Sequence, residues 1–146
     1  MVDRETFDNL CISIRGYLQE LYQAQDIDWQ KFTQDNRSKR FVERVLQIMI
    51  ETMIDLGQHI IADEGFREPN TYRDVFKILC ENKVLPQDKL PTYEKIAAFR
   101  NVLVHHYERV DDAIVYAVFS RNLSDIEDFL AYILKWEEQK SRIGGF

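Results

Sequence analysis

Phe41-Val42-Glu43-Arg44-Val45-Leu46-Gln47-Ile48-Met49-Ile50-Glu51-Thr52-Met53-Ile54-Asp55-Leu56-Gly57-Gln58-His59-Ile60-Ile61 decides the fold. Phe41, Val45, Met49, Met53 and Ile60 recur at helical spacing and mark one apolar stripe. Leu46, Ile48, Ile50, Ile54 and Ile61 widen that stripe well beyond one face. The spacing predicts a helix over 38–63. A helix apolar around so much of its circumference belongs at the centre of a bundle, or is buried on both core and subunit-contact sides. Glu64-Gly65 supplies its stop, because glycine accepts the left-handed cap.

The same period continues outward. Phe7, Leu10, Ile14, Tyr17 and Leu21 predict a helix over about 3–25. Asp28-Trp29-Gln30-Lys31-Phe32 predicts a short helical turn, then a polar break at Gln34-Asp35-Asn36. Thr71 with Asp74 three residues on resembles a capping pair and opens a helix to about Asn82. Pro86 is placed in the first turn of the next helix, whose core face is Tyr93, Ile96, Phe99 and Leu103. Glu108-Arg109-Val110-Asp111 interrupts it, and a short helix or irregular stretch runs to Val118. Ser124 with Glu127 predicts a last helix to about Lys140, with Ile126, Phe129, Ile133 and Trp136 inward. Five glycines and three prolines leave little room for hairpins or long loops. The reading is all-α, one domain over 1–146.

A chain of 146 residues is long enough to bury a real core. No run of about eighteen apolar residues occurs, so no membrane span is expected. Met1-Val2-Asp3-Arg4-Glu5 lacks the basic-then-apolar order of a secretory signal. Cys11 and Cys80 have neither disulfide-framework nor metal spacing; both read as small buried hydrophobes in a reducing cytoplasm. The net charge of −6 argues against broad non-specific nucleic-acid binding. It leaves room for a local basic cleft.

Chemistry concentrates in Arg100-Asn101-Val102-Leu103-Val104-His105-His106-Tyr107. Arginine clamps phosphate oxygens, and histidine carries protons near neutral pH. A compact Arg and His site without a metal-ligand set points to phosphodiester chemistry on RNA, where the ribose 2′-hydroxyl is a ready nucleophile. On a straight helix His105 lies roughly 140° around from Arg100. The two converge only if the helix ends or bends near Val104, or if Arg100 comes from a second subunit. The plainer reading of the same residues is an Arg100 salt bridge, a His105 helix cap and a Tyr107 at the core edge. Adjacent His105 and His106, with His59 remote, make a poor metal set, so none is expected. Met49 and Met53 read as core or dimer packing. Trp29, Phe32 and Trp136 lack the basic interleaving of a single-strand stacking platform.

The pattern of Arg, four residues, His, any residue, Tyr, with Asn after the Arg, resembles the signature of the HEPN domain, and most closely its HepT branch. Pro69-Asn70-Thr71-Tyr72-Arg73-Asp74-Val75-Phe76 and Asn122-Leu123-Ser124-Asp125-Ile126 extend the likeness over nearly the whole chain. The resemblance implies an antiparallel bundle of four to six helices. It implies a homodimer with motif helices facing across a cleft, and a metal-independent ribonuclease toxin without cofactor. In that reading Arg100 and His105 are catalytic, and Asn101 and Tyr107 orient the substrate. The resemblance also implies a partner nucleotidyltransferase of the MNT type, the antitoxin, which transfers AMP to Tyr107. Either tRNA or mRNA fits the family; a compact cleft with few basic residues favours tRNA slightly. The rival expectation is a non-catalytic nucleotide- or substrate-binding subunit of such a nucleotidyltransferase. Arg37, Lys39 and Arg40 form the densest basic cluster and are candidate RNA-phosphate contacts, or simply a solvated helix start. Arg109 is a further candidate, with pairing to Asp111 or Asp112 as the alternative.

Overall fold

The computed structural model describes residues 4–104 and 111–144, with side chains as far as Arg142. Seven α-helices and one 3-10 turn appear among the described residues: α1 (Arg4–Gln23), α2 (Trp29–Gln34), α3 (Asn36–Glu64), α4 (Tyr72–Glu81), the turn Gln87–Lys89, α5 (Leu90–Val104), α6 (Asp112–Arg121) and α7 (Leu123–Gly144). Four of them, α1, α3, α5 and α7, carry most of the length, and the all-α bundle expected from periodicity is what the chain forms.

Helix directions follow from the ion pairs at their ends. Arg4, opening α1, binds Glu137 late in α7, while Tyr22 at the other end of α1 donates to Glu127 early in α7 at 2.7 Å. The two helices therefore run antiparallel. Lys140 binds Glu64 at the end of α3, so α7 and α3 end together. The 29 residues of α3 are enough to cross a bilayer. Its apolar surface is instead used inside the bundle, packed by α1, α2, α4, α5 and α6.

The buried residues of α3 include Val42, Val45, Leu46, Met49, Ile50, Met53, Ile54, Leu56, Ile60 and Ile61. Phe41, placed on the inward stripe by spacing, is instead 38% exposed, and Val42 takes the core position beside it. Val45, Met49, Met53 and Ile60 keep their expected inward places, so only the first position of the stripe shifts, where packing against the neighbouring helices seats Val42. Met49 and Met53 are fully buried core residues. Beneath α3, the rings of Phe76, Tyr93 and Phe129 meet pairwise at 5.7 to 5.9 Å between centroids. Each such buried aromatic contributes on the order of 2–3 kcal/mol through lost apolar exposure. Cys11 and Cys80 are buried free thiols.

The punctuation is mostly as the sequence implies. Gly65 takes φ 70°, and Phe66 N–H closes back on Ile61 C=O at 3.0 Å, a left-handed stop. Asp35 alone makes the break between α2 and α3, capping the end of one helix and the start of the next. The Thr71 hydroxyl accepts from Asp74 N–H at 3.0 Å and caps α4. Three expectations need correction. Pro86 precedes the 3-10 turn, and Pro91 occupies the first turn of α5. The α7 helix begins at Leu123, ahead of Ser124, and the Glu127 carboxylate is engaged by Tyr22. α7 also runs to Gly144, past the expected end near Lys140. The stretch left open between helix and coil before Val118 is helical: Asp111 accepts from Ala113 N–H and caps α6.

Candidate functional site

Arg100 lies one turn before the end of α5 as described, between the middle of α3 and the start of α4. Alternation along α5 places it. Phe99 and Leu103 are buried, Asn101 and Val102 are exposed, and Arg100 sits at the boundary with its side chain 14% exposed. Burying the aliphatic stem while the guanidinium reaches the rim is the usual habit of arginine.

Three neighbours meet its head. The Tyr72 ring, first residue of α4, lies 4.8 Å from Cζ. The Glu51 carboxylate of α3 lies 3.6 Å from Nη2, an ion pair beyond hydrogen-bond length. Asn101 Oδ1 accepts from Nη1 at 3.3 Å. Nε is buried and meets no acceptor among the described residues. Glu51 is itself oriented, since its other oxygen accepts from Gln47 Nε2 at 2.9 Å one turn earlier. A guanidinium with one ring face against it and one weak anion beside it keeps donors for an incoming oxyanion.

The seat of Tyr72 is built from the segment before it. Arg67 donates to both oxygens of Asp74 at 2.9 Å and to both oxygens of Glu81 at 3.1 and 3.0 Å. Asp74 also accepts from Asn70 N–H at 3.0 Å. Hydrogen bonds from Arg67 hold both carboxyls below the usual carboxylate range. This clamp ties the 66–70 connection to the first turn of α4. From the other side, α4 crosses α3 at Gly57, where an added Cβ would stand 2.6 Å from Val75 Cγ1.

Of the residues chosen from sequence, Arg100 and Asn101 are together at this rim. His105, Tyr107 and Arg109 lie outside the described residues, and so does His106. The basic cluster is split. Lys39 is held by Asp112 at 2.8 Å and lies over the Phe32 ring, whereas Arg37 and Arg40 have exposed side chains. Asp111 and Asp112, named as alternative partners for Arg109, already cap α6 and bind Lys39. Sequence reasoning assigned no role to Glu51 or Tyr72. Glu51 did carry a signal, as a lone carboxylate inside the apolar run Leu46–Ile54.

Residues 14–133 match the family model described as Ribonuclease HepT-like. The chain belongs to this family. The HepT-like match takes in Glu51, Tyr72, Arg100 and Asn101. The mRNA nuclease HepT of Shewanella oneidensis is 31% identical over 106 residues, 73% of this chain and 80% of that protein. The tRNA nuclease HepT of Aphanizomenon flos-aquae is 23% identical over 130 residues, 86% of this chain and 88% of that protein. Among solved structures, the tri-AMPylated Shewanella oneidensis HEPN toxin in complex with MNT antitoxin has a TM-score of 0.82 at 28% identity, covering 92% of this chain and 99% of that one. The HEPN resemblance read from the Arg100 motif is therefore correct, and it extends through the helices that frame Arg100.

Proposed function

We propose that this chain is a single-domain, cytoplasmic, metal-independent ribonuclease toxin that works as a homodimer and is restrained by an MNT-type nucleotidyltransferase. The observation that carries the reading is the HepT-like match across 14–133 together with the half-enclosed seat of Arg100. A held guanidinium at a rim is what a developing phosphorane charge needs, because a preset charge costs no reorganisation at the moment of reaction.

In the reaction, His105 of one protomer takes the proton from a ribose 2′-hydroxyl. The 2′-oxygen bonds to phosphorus and the bond to the 5′-oxygen breaks. The second protomer's histidine returns a proton to the leaving oxygen, leaving a 2′,3′-cyclic phosphate. Arg100 of either protomer faces the non-bridging oxygens, and Asn101 and Tyr107 orient the phosphate. Arg37, Lys39, Arg40 and Arg109 are secondary RNA contacts; the bond from Lys39 to Asp112 weakens that residue's share. The substrate is structured RNA, with tRNA ahead of mRNA because a compact cleft with few basic residues suits a structured end or loop better than a long strand. Transfer of AMP from ATP to the Tyr107 hydroxyl, with release of pyrophosphate, places negative charge and bulk beside Arg100 where substrate phosphate must sit. That accounts for neutralisation by the antitoxin, and the tri-AMPylated form of the similar Shewanella toxin supports it.

The test is incubation of purified protein with labelled tRNA and mRNA in EDTA. Wild type should cleave, tRNA faster. Arg100→Ala should lose on the order of 100- to 1000-fold, the scale for removing one preset charge-stabilising group. His105→Ala should lose a comparable factor. Undiminished cleavage by either folded variant overturns the role given to that residue, and an inert wild type overturns the nuclease reading.

A further inference from the structure

We propose that Tyr72 is a positioning residue for the cleavage reaction, acting through the plane of Arg100. The proposal rests on the role given to Arg100 above, and its test separates the two.

Arg100 comes from α5 on a long, rotatable side chain. Among the described residues, its tethers other than Tyr72 are weak. Asn101 is its own chain neighbour, exposed, and accepts at 3.3 Å. Glu51 is 3.6 Å away and 38% exposed on its side chain, so water screens the pair. Neither fixes which way the guanidinium fork faces. The Tyr72 ring does, because a guanidinium 4.8 Å from an aromatic centroid is drawn onto the ring face. One face is then covered, and the donor edge is left for an anion. The Tyr72 ring is 38% exposed, so it stands at the same rim as the cation it steers.

The fold invests structure in keeping that ring in place. Tyr72 follows the Thr71 cap directly, and α4 cannot shift along α3 without meeting the tight crossing at Gly57. The Arg67 clamp on Asp74 and Glu81 secures the same turn from outside. Together these contacts hold α4, and with it the start at Tyr72, in place against α3. Reorientation of a catalytic charge acts on the transition state more than on substrate capture, so the loss belongs in kcat.

The experiment compares Tyr72→Leu and Tyr72→Phe in RNA cleavage, with Arg100→Ala as the reference and thermal unfolding as the check of fold. Tyr72→Leu should lower kcat on the order of 10- to 100-fold, the scale of a misplaced catalytic group, with KM nearly unchanged. Tyr72→Phe keeps the ring face and should stay within about threefold of wild type. A second readout is independent of turnover. The Arg100 Hε resonance should show an upfield ring-current displacement in wild type and Tyr72→Phe, and lose it in Tyr72→Leu. If Tyr72→Leu fails to fold, the wild-type and Tyr72→Phe measurements decide alone. Wild-type kcat in Tyr72→Leu beside an inactive Arg100→Ala sinks the positioning role and leaves the nuclease reading intact. Equal losses in Tyr72→Phe and Tyr72→Leu sink it too, because the hydroxyl and not the ring face would then be responsible. Full activity of Arg100→Ala removes the reading on which the proposal rests.

Discussion

Replacing Gly57 by alanine and, separately, Gly16 by alanine makes the same chemical change in two long helices, with opposite expected signs. Both positions gain from lower backbone freedom in the unfolded chain, by roughly 0.5–1 kcal/mol. At Gly16 the new Cβ meets nothing within 4 Å, so that gain stands alone. At Gly57 the new Cβ would lie 2.6 Å from Val75 Cγ1 and 3.2 Å from Leu79 Cδ1. Val75 is β-branched and fully buried, so it has few rotamers to retreat into. Overpacking of this kind costs about 1–3 kcal/mol, which exceeds or cancels the propensity gain. The gap between the two variants isolates the steric cost, because the propensity gain is common to both. Urea unfolding followed by circular dichroism reads that gap directly. For a chain of 146 residues each kcal/mol moves the thermal midpoint by about 3–4 °C. Gly16→Ala should melt a few degrees above wild type and Gly57→Ala at or below it. If Gly57→Ala is stabilised as much as Gly16→Ala, the α3–α4 crossing is looser than these distances imply, and the argument that it pins Tyr72 loses a support.

Two further outcomes follow from charge and burial. The carboxyls of Asp74 and Glu81 titrate below their ordinary range because Arg67 binds them. Their stabilisation is complete above the unfolded carboxylate values near 4 and fades as pH falls through the lowered folded values. Arg67→Gln should therefore lower the melting temperature at neutral pH and flatten its decline on acidification, with the difference shrinking in high salt. Parallel pH profiles for wild type and variant would show that the clamp contributes nothing. Burial pushes the Cys11 and Cys80 thiols up to about 11, so at pH 8 only about one thiol in a thousand is thiolate. Alkylation by iodoacetamide should be very slow in the native protein and fast in denaturant. Rapid native labelling would mean that α1 or α4 opens far more easily than its packing indicates.

What this sequence determined unaided was whatever is local. Apolar spacing along Phe7–Leu21, along Phe41–Ile61 and along Ile126–Trp136 names helices, because side chains three and four apart share a face whatever they pack against. Thr71 and Gly65 mark ends, since capping is settled within a turn. The cluster Arg100–Tyr107 together with the flanking stretches Pro69–Phe76 and Asn122–Ile126 points to the family, because each is a short contiguous pattern. Long-range matters were decided by packing. Phe41 faces outward and Val42 inward because the rotation of α3 is set jointly by five neighbouring helices. Glu51 and Tyr72, 49 and 28 residues before Arg100 in the chain, share no pattern with it that a linear reading detects. Only the crossing of α3, α4 and α5 brings a carboxylate and a ring face to one guanidinium. A side chain's identity is written locally, but the direction in which its charge points depends on elements that meet only when the chain has folded.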